Sequence, residues 1–329
     1  MMIRFRFIHC LVFLALGWAG CKKGEDYSIV TQEWLVTNPT ATPIAAAIRQ
    51  LRPAPAEVSV VQGQAFGLHT GPRMVLYGVK DSATGAPLRA TESISVRYHK
   101  LTTIADYILA AKPTLGQALV LSVQGGVEMS LRANGRPLVA EECRVALPWA
   151  SGASPAGLGT YVGYTNSQGR NLWGPLTPSD TAWRVRAGYH LPTDTVSLGG
   201  ATGWLTFRTF SNRFPVFGCA RPVAATNEIA FVRVSLPRRF NPSNTQVYAL
   251  SDISPEVFML DPETNRVEFV ANYPYNKYAP VVLVAISRIG TQWYMGRVRT
   301  TARDEAAVEM YPDSLSQADL LTRLQNLPN

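Results

Sequence analysis

Between Glu92 and His99 the chain reads Glu-Ser-Ile-Ser-Val-Arg-Tyr-His, apolar and polar residues alternating with period two. Successive side chains of a strand point to opposite faces. This register therefore places Ile94, Val96 and Tyr98 on a buried sheet face and Ser95 and Arg97 toward water. Similar strand signatures occur at Val58–Val61, Met74–Val79, Ala118–Val123, Val127–Ala133, Cys143–Leu147 and Trp204–Phe210. Turn chemistry separates them. Asp81-Ser-Ala-Thr-Gly85-Ala-Pro87 starts with a side chain that can bond its own backbone and ends with a residue that blocks a helix. Asn134-Gly135, two residues that tolerate positive φ, predicts a tight hairpin.

Composition narrows the class further. Hydrophobic residues make up 47% of the 329 residues and charged ones 16%, which excludes a largely disordered chain. The 25 Gly and 23 Pro suit short strands and turns better than a helical bundle. The last hundred residues again read as short strands, at Ala230–Leu236, Thr245–Leu250, Val257–Leu260, Val267–Asn272, Val281–Ser287, Gln292–Arg299 and Ala307–Tyr311. Two helices interrupt the pattern. One runs from Thr102 or Thr103 to Ala111; the other starts at Ser316, with Leu320, Leu321, Leu324 and Leu327 at helical spacing. The expected fold is mostly β: two tandem β-sandwich-like domains, a short helix in the first and a carboxy-terminal amphipathic helix. Residues 57–215 form the first domain, with an aromatic and Gly-rich loop region, and residues 216–329 the second.

The amino terminus reads as an address. Arg4 and Arg6 precede the apolar stretch Ile8–Leu16, and Gly17, Ala19 and Gly20 stand before Cys21. The apolar stretch is too short to span a bilayer, so residues 1–20 read as an export signal. The order of these residues resembles the lipobox of bacterial lipoproteins, with Trp18 where a Leu is usual. The resemblance implies removal of residues 1–20 and lipidation of Cys21. Two or three acyl chains hold a protein on a membrane where one does not. Residues 21–56, with Pro39, Pro43, Pro53 and Pro55, read as a tether containing a short helical segment from Ile44 to Leu51. The run Lys22-Lys23-Gly24-Glu25-Asp26 resembles the export tag of Bacteroidota surface lipoproteins; a solvated spacer is the other reading. The implied location is the outer membrane, on its periplasmic face or at the cell surface.

The segment Val79–Leu147 resembles a module of uncharacterised exported Bacteroidota lipoproteins. Its marks are Thr103-Ile-Ala-Asp106-Tyr-Ile-Leu, Lys112-Pro-Thr114, Gly125-Gly126-Val-Glu-Met and Asn134-Gly135-Arg-Pro-Leu. Phe217-Gly-Cys219-Ala and the strands after it resemble the downstream unit of the same proteins. More loosely, the chain is similar to transthyretin-like and carboxypeptidase-regulatory sandwiches. These resemblances imply an accessory domain rather than an enzyme.

Local motifs for chemistry are few. His69, His99 and His190 are isolated, with no H-x-x-x-H and no C-x-x-C spacing, so no metal site is expected. Gly157-Leu-Gly159 and Gly199-Gly200 are Gly-rich but lack the lysine and the strand–helix context of a phosphate loop. No cofactor is expected, and no nucleophile elbow is present. The net charge is +8, two less once Arg4 and Arg6 are removed, without a block of like charges that would suit nucleic acid. Cys143 and Cys219 have two readings: buried thiols, or a disulfide whose loop would contribute about 4 kcal/mol. Trp173, Tyr161 and Tyr164 are the candidates for stacking on a sugar ring, and packing of a sandwich core is the weightier reading of such large aromatics. The function expected is that of a non-enzymatic envelope binding or assembly module. It would be held on the membrane by its lipid and take a protein or glycan partner. A hydrolase with dispersed acids and an architectural spacer stand as alternatives.

Lipidation makes a direct prediction. Cys21→Ala should move the protein from the membrane fraction to the soluble fraction on cell fractionation. Unchanged retention would count against the anchor.

Overall fold

The computed structural model describes residues 43–67, 73–115, 120–149, 159–165, 171–175, 188–190, 203–209, 216–223, 229–252, 255–263, 267–274, 278–301 and 307–328. Among them, eleven strands form one curled sheet. These are β1 (Ala56–Val60), β2 (Ala65–Gly67), β3 (Arg73–Asp81), β4 (Ile94–Leu101), β5 (Leu121–Ala133), β6 (Arg136–Trp149), β7 (Gly159–Thr165), β8 (Asn171–Pro175), β9 (Gly188–His190), β10 (Gly203–Thr209) and β11 (Val216–Pro222). Eight more form a second curled sheet. These are β12 (Ile229–Ser235), β13 (Thr245–Ser251), β14 (Val257–Pro262), β15 (Glu268–Pro274), β16 (Pro280–Ile289), β17 (Gln292–Thr301), β18 (Val308–Glu309) and β19 (Asp313–Leu315). Helices α1 (Pro43–Gln50), α2 (Ile104–Ala110) and α3 (Gln317–Gln325) complete the body. The mostly-β, two-sheet architecture with a short internal helix and a carboxy-terminal one follows the sequence expectation. Among the described residues, no helix is long and apolar enough to cross a membrane.

The first sheet is organised by one hairpin. Asn134 and Gly135 take φ of 49° and 79°, the twist of a two-residue turn between right-twisted strands. The two strands stay paired only from Leu131–Ala133 to Arg136–Leu138. They then part: β6 runs on between β3 and β10, and β5 between β4 and β11. A pair that diverges in this way bends the sheet around its own apolar face. Met74, Leu76, Ile94, Val96, Tyr98, Met129 and Leu138 fill the curl. The alternation of Ile94, Val96 and Tyr98 thus faces the core, and Ser95 and Arg97 bond Glu57 on the outer side at 2.7 and 2.9 Å.

Three sequence expectations change here. The segments around Gly125-Gly126 are one 13-residue strand, not two. The break in apolar pattern is a bulge, where the register with β11 slips between Cys219 and Ala220. Gly218 makes the close approach possible. A methyl group there would stand 2.6 Å from the Gly125 carbonyl oxygen and 3.0 Å from Gly126 Cα. Because β11 bonds β5 and β7, the change of sheet falls between Pro222 and Ile229 rather than at 216. The folded body also starts earlier than the tether reading gave. Residues 43–50 form α1, whose Ile44, Ala45, Ala47 and Ile48 are buried.

The second sheet is bounded by a single segment. Its strand order begins with β18 and ends with β19, and only Met310, Tyr311 and Pro312 separate the two in sequence. One short strap thus lies along both edges. The continuous apolar run Val281–Ile286 is buried on both faces, as expected of a central strand covered twice. Its Val282, Val284 and Ile286, with Tyr248 and Leu250 of β13, belong to a core shared with the helices. In the same core are Ile44 and Ile48 of α1, Ile104 and Ile108 of α2, and Leu320 and Leu324 of α3. α1 lies against α2, β13 and β16; α3 lies against α2, β17 and β19. The first sheet joins this core through Leu101, Leu121, Val123 and Val216.

The caps explain where two of the helices start. Thr103 Oγ1 accepts from Asp106 N at 3.2 Å while Asp106 accepts from Thr102 N and Thr103 N at 2.9 Å each. Ser316 caps α3, its hydroxyl accepting from Asp319 N at 3.1 Å. Leu324→Ala should cost about 2–5 kcal/mol through the cavity it leaves. Because both sheets share that core, urea unfolding followed by tryptophan fluorescence and circular dichroism should remain one transition. Two separated transitions would show that the sheets fold independently.

Candidate functional site

A recess forms where a strand ladder stops. β1 pairs with β4 from Val60–Ile94 as far as Ala56–Tyr98. Beyond Ala56 its place beside β4 is taken by Arg52, Pro53, Ala54 and Pro55, which lead back to α1. Prolines lack the N–H that a ladder needs, so the chain leaves the sheet here. The result is a hollow of about 250 Å³ lined by Arg52, Pro53, Tyr98, His99, Lys100 and Asp106 among others.

Each side chain is held for a local reason. His99 lies opposite Glu128 in the β4–β5 register. Glu128 forms an ion pair with Arg52, which the end of α1 delivers across 76 positions of sequence. Lys112 follows the α2 cap, where Ala111 adopts the left-handed conformation at φ 52°. Asp106 closes the capping box of α2. Tyr98 is 1% exposed, and its hydroxyl has no hydrogen-bond partner among the described residues.

The electrostatics follow from this placement. Burial pushes the His99 imidazole below the ordinary histidine range, and the Arg52 guanidinium pushes the same way. Glu128 and Asp106 act against them. Burial also lowers the Lys112 ammonium, with Glu128 opposing and Arg49 and Arg52 adding to the shift. Burial raises the Tyr98 phenol. Around His99 and Lys112, Arg49 and Arg52 are the cations and Asp106 and Glu128 the acids that act. Both acids are engaged, one in a cap and one with Arg52. The arrangement is a hollow that carries Arg52, Lys100 and Asp106 on its wall, with a half-buried histidine at its side.

Two of the three aromatic candidates for ligand stacking pack the core. Trp173 is 1% exposed, and its ring stands edge-on to Tyr107, centroids 6.2 Å apart. Its backbone N–H donates to the Leu115 carbonyl at 3.0 Å. An enclosed ring has no face for a sugar, so Trp173 packs the shared core. Tyr161, 5% exposed, lies in the same core. Tyr164 occupies the β7 position opposite Leu172; its side chain lies outside the described residues. Cys143 is buried on β6, beside Leu76 and Thr209, and Cys219 sits on β11, beside Gly125 and Thr160. β5 separates the two strands in the sheet order. Cys21 and His69 lie outside the described residues, and His190 is placed only as a β9 position.

The sequence alone marks His99 only as isolated from other metal ligands, and it assigns no role to Arg52, Lys112 or Glu128. The juxtaposition Tyr98-His99-Lys100 at a strand end was its one visible sign. Cross-strand register and the path of α1 supply the rest.

No family model matches the chain, and no curated protein matches it. Among solved structures, the chain is similar to a pullulanase complexed with maltotriose from Anoxybacillus sp. LM18-11. That likeness has 7% identity, covers 47% of this chain and 24% of the pullulanase, and has a TM-score of 0.16. At that score it carries no argument about fold or activity.

Two measurements check the site. Trp173→Ala should lower unfolding stability by about 3–5 kcal/mol, the cost of emptying a large aromatic site. For His99, the lowered value means that the unfolded chain binds its proton first as pH falls. Stability should therefore decline as pH drops through the ordinary histidine range toward the lower folded value. His99→Gln should flatten that slope in thermal melts taken across pH 5–8, the span in which an ordinary histidine titrates.

Proposed function

We propose that the chain is a lipid-anchored envelope protein whose folded body is a non-enzymatic binding or assembly module. The lipobox-like approach to Cys21 supports the anchor. The observation that carries the binding reading is the state of two acids, Asp106 on the wall of the hollow and Glu128 beside His99. Asp106 accepts from two backbone N–H groups, and Glu128 is paired with Arg52. A general acid or base must be free to exchange a proton with a substrate at hydrogen-bond distance. Carboxylates committed to a cap and an ion pair serve the fold.

The partner would be an envelope protein or glycan. Photo-crosslinking in intact cells tests this. A crosslinking residue at Ala54 should give one discrete adduct in the envelope fraction, and the same residue at Arg238 should not give it. Turnover of an envelope polymer by the purified protein, abolished by Glu128→Gln with the fold intact, would overturn the non-enzymatic reading.

A further inference from the structure

We infer that the recess at the ends of β19 and α3 is a binding site for one carboxylate carried by a partner protein, from an acidic side chain or a chain end. The site lies apart from the hollow beside β4 and stands on its own residues. That a protein carries the carboxylate rests on the binding-module reading.

The recess forms because two elements stop together. β19 pairs with β17 only from Trp293–Leu315 to Met295–Asp313, and α3 ends with Asn326 as its cap. Trp293 and Met295 are buried in the shared core with Leu320 and Leu324 of α3. Side chains two positions apart on a strand share a face, so Arg297 and Arg299 follow Met295 on the same side. A space of about 270 Å³ remains there, lined by Met295, Arg297, Arg323 and Asn326.

Three observations converge on a carboxylate. The first is charge, with each partner counted. Arg299 is already paired with Asp252. Arg323 has Asp313 at 3.9 Å, beyond hydrogen-bond distance, and both side chains are exposed; a surface pair of that kind contributes little. Arg297 has no hydrogen bond, ion pair or ring contact among the described residues. Two guanidiniums against one acid leave one positive charge, which a single carboxylate neutralises and a phosphate dianion exceeds. The second is donor geometry. A guanidinium presents its N–H groups as a planar fork that matches the two oxygens of a carboxylate, and Arg297 keeps that fork unused. The Asn326 side-chain amide, also without a partner among the described residues, adds a donor. The carbonyl end of α3 opposes an anion, but the end of a nine-residue helix weighs less than one charged hydrogen bond. The third is size and lining. The space is below the roughly 300–1,000 Å³ of sites for drug-sized ligands, so it suits one terminal group. Met295 gives it an apolar floor for a short methylene stem, and none of the four lining residues has a ring to stack on a sugar.

The test uses the chain from residue 21 with Cys21→Ser, ¹⁵N-labelled. Acetyl-Gly-Glu-Gly-amide, acetyl-Gly-Gln-Gly-amide, glucuronate and inorganic phosphate are titrated separately. The Glu peptide should shift the amides of Met295–Arg297 and Arg323–Asn326, and the Gln peptide should not. Arg297→Gln and Arg323→Gln should each weaken binding roughly tenfold, the loss expected for one charged hydrogen bond. Asp313→Asn removes the acid that competes for Arg323 and should strengthen binding about threefold, a gain that purely structural arginines would not give. Spectra unchanged by the Glu peptide overturn the inference. So do equal shifts from the Gln peptide, affinities that none of the three variants alters, or a response centred on Arg238 and Arg239. Tighter binding of glucuronate or phosphate than of the Glu peptide at the same amides overturns the protein carboxylate as ligand. Asp313 is exposed on a three-residue strand, so its variant keeps the test decisive if an arginine variant fails to fold. A silent recess with the Ala54 crosslink intact removes this inference and leaves the module reading standing.

Discussion

The structure depends on burying three short helices in one apolar core that both sheets share. α1 has eight residues, α2 seven and α3 nine. Helices of that length are not stable alone in water, because nucleation costs more than so few hydrogen bonds return. They persist because Ile44, Ile48, Ile104, Ile108, Leu320 and Leu324 leave water against Tyr248, Leu250, Val282, Val284 and Ile286. Each such side chain contributes on the order of 1.5–3 kcal/mol by leaving water. A buried polar tie fixes the alignment. Thr114 N donates to the Val257 carbonyl at 2.8 Å, and Val257 N donates to Thr114 Oγ1 at 2.9 Å. The first sheet's segment is thereby bonded to the start of β14, across 143 positions of sequence.

That packing also determines the site. α1 enters the core by its apolar stripe, and Leu51, just after it, stays in that core. Leu51 N and Arg52 N bond back to the Ile48 and Arg49 carbonyls, tightening the exit. The chain then passes Pro53 and Pro55 before joining the sheet at Ala56. This path carries Arg52 over β5 to Glu128 and holds the connection away from the edge of β4. Without α1 in the core, Arg52 would have no fixed position and the hollow no outer wall. The aromatic residues follow the same logic. Trp173 and Tyr161 are consumed in filling the shared core, so neither offers a free ring face for stacking.

Much of the fold was legible in the sequence. The alternation of Ile94, Val96 and Tyr98, the Asn134-Gly135 turn, the Thr103 cap and the leucine spacing after Ser316 each act through neighbours close in sequence. Local geometry decides them. The bulge at Gly125 was not legible as such, since two glycines in an apolar run read equally well as a break between strands. Only the backbone of Gly218 pressed against them shows that the strand continues. The membership of β11 was hidden for a similar reason, because a strand's pattern does not name its partners.

The amino-acid sequence alone determined that this chain makes strands, where most of them turn and which faces they bury. Period-two alternation and turn chemistry are local properties, and they survive any arrangement of the strands. The tertiary structure decided which strands pair, that α1 belongs to the body, and that Trp173 is a core residue. It also decided that His99, Glu128, Arg52 and Lys112 meet. Those outcomes follow from long-range register and from where apolar surface can leave water, and no short window of sequence contains either.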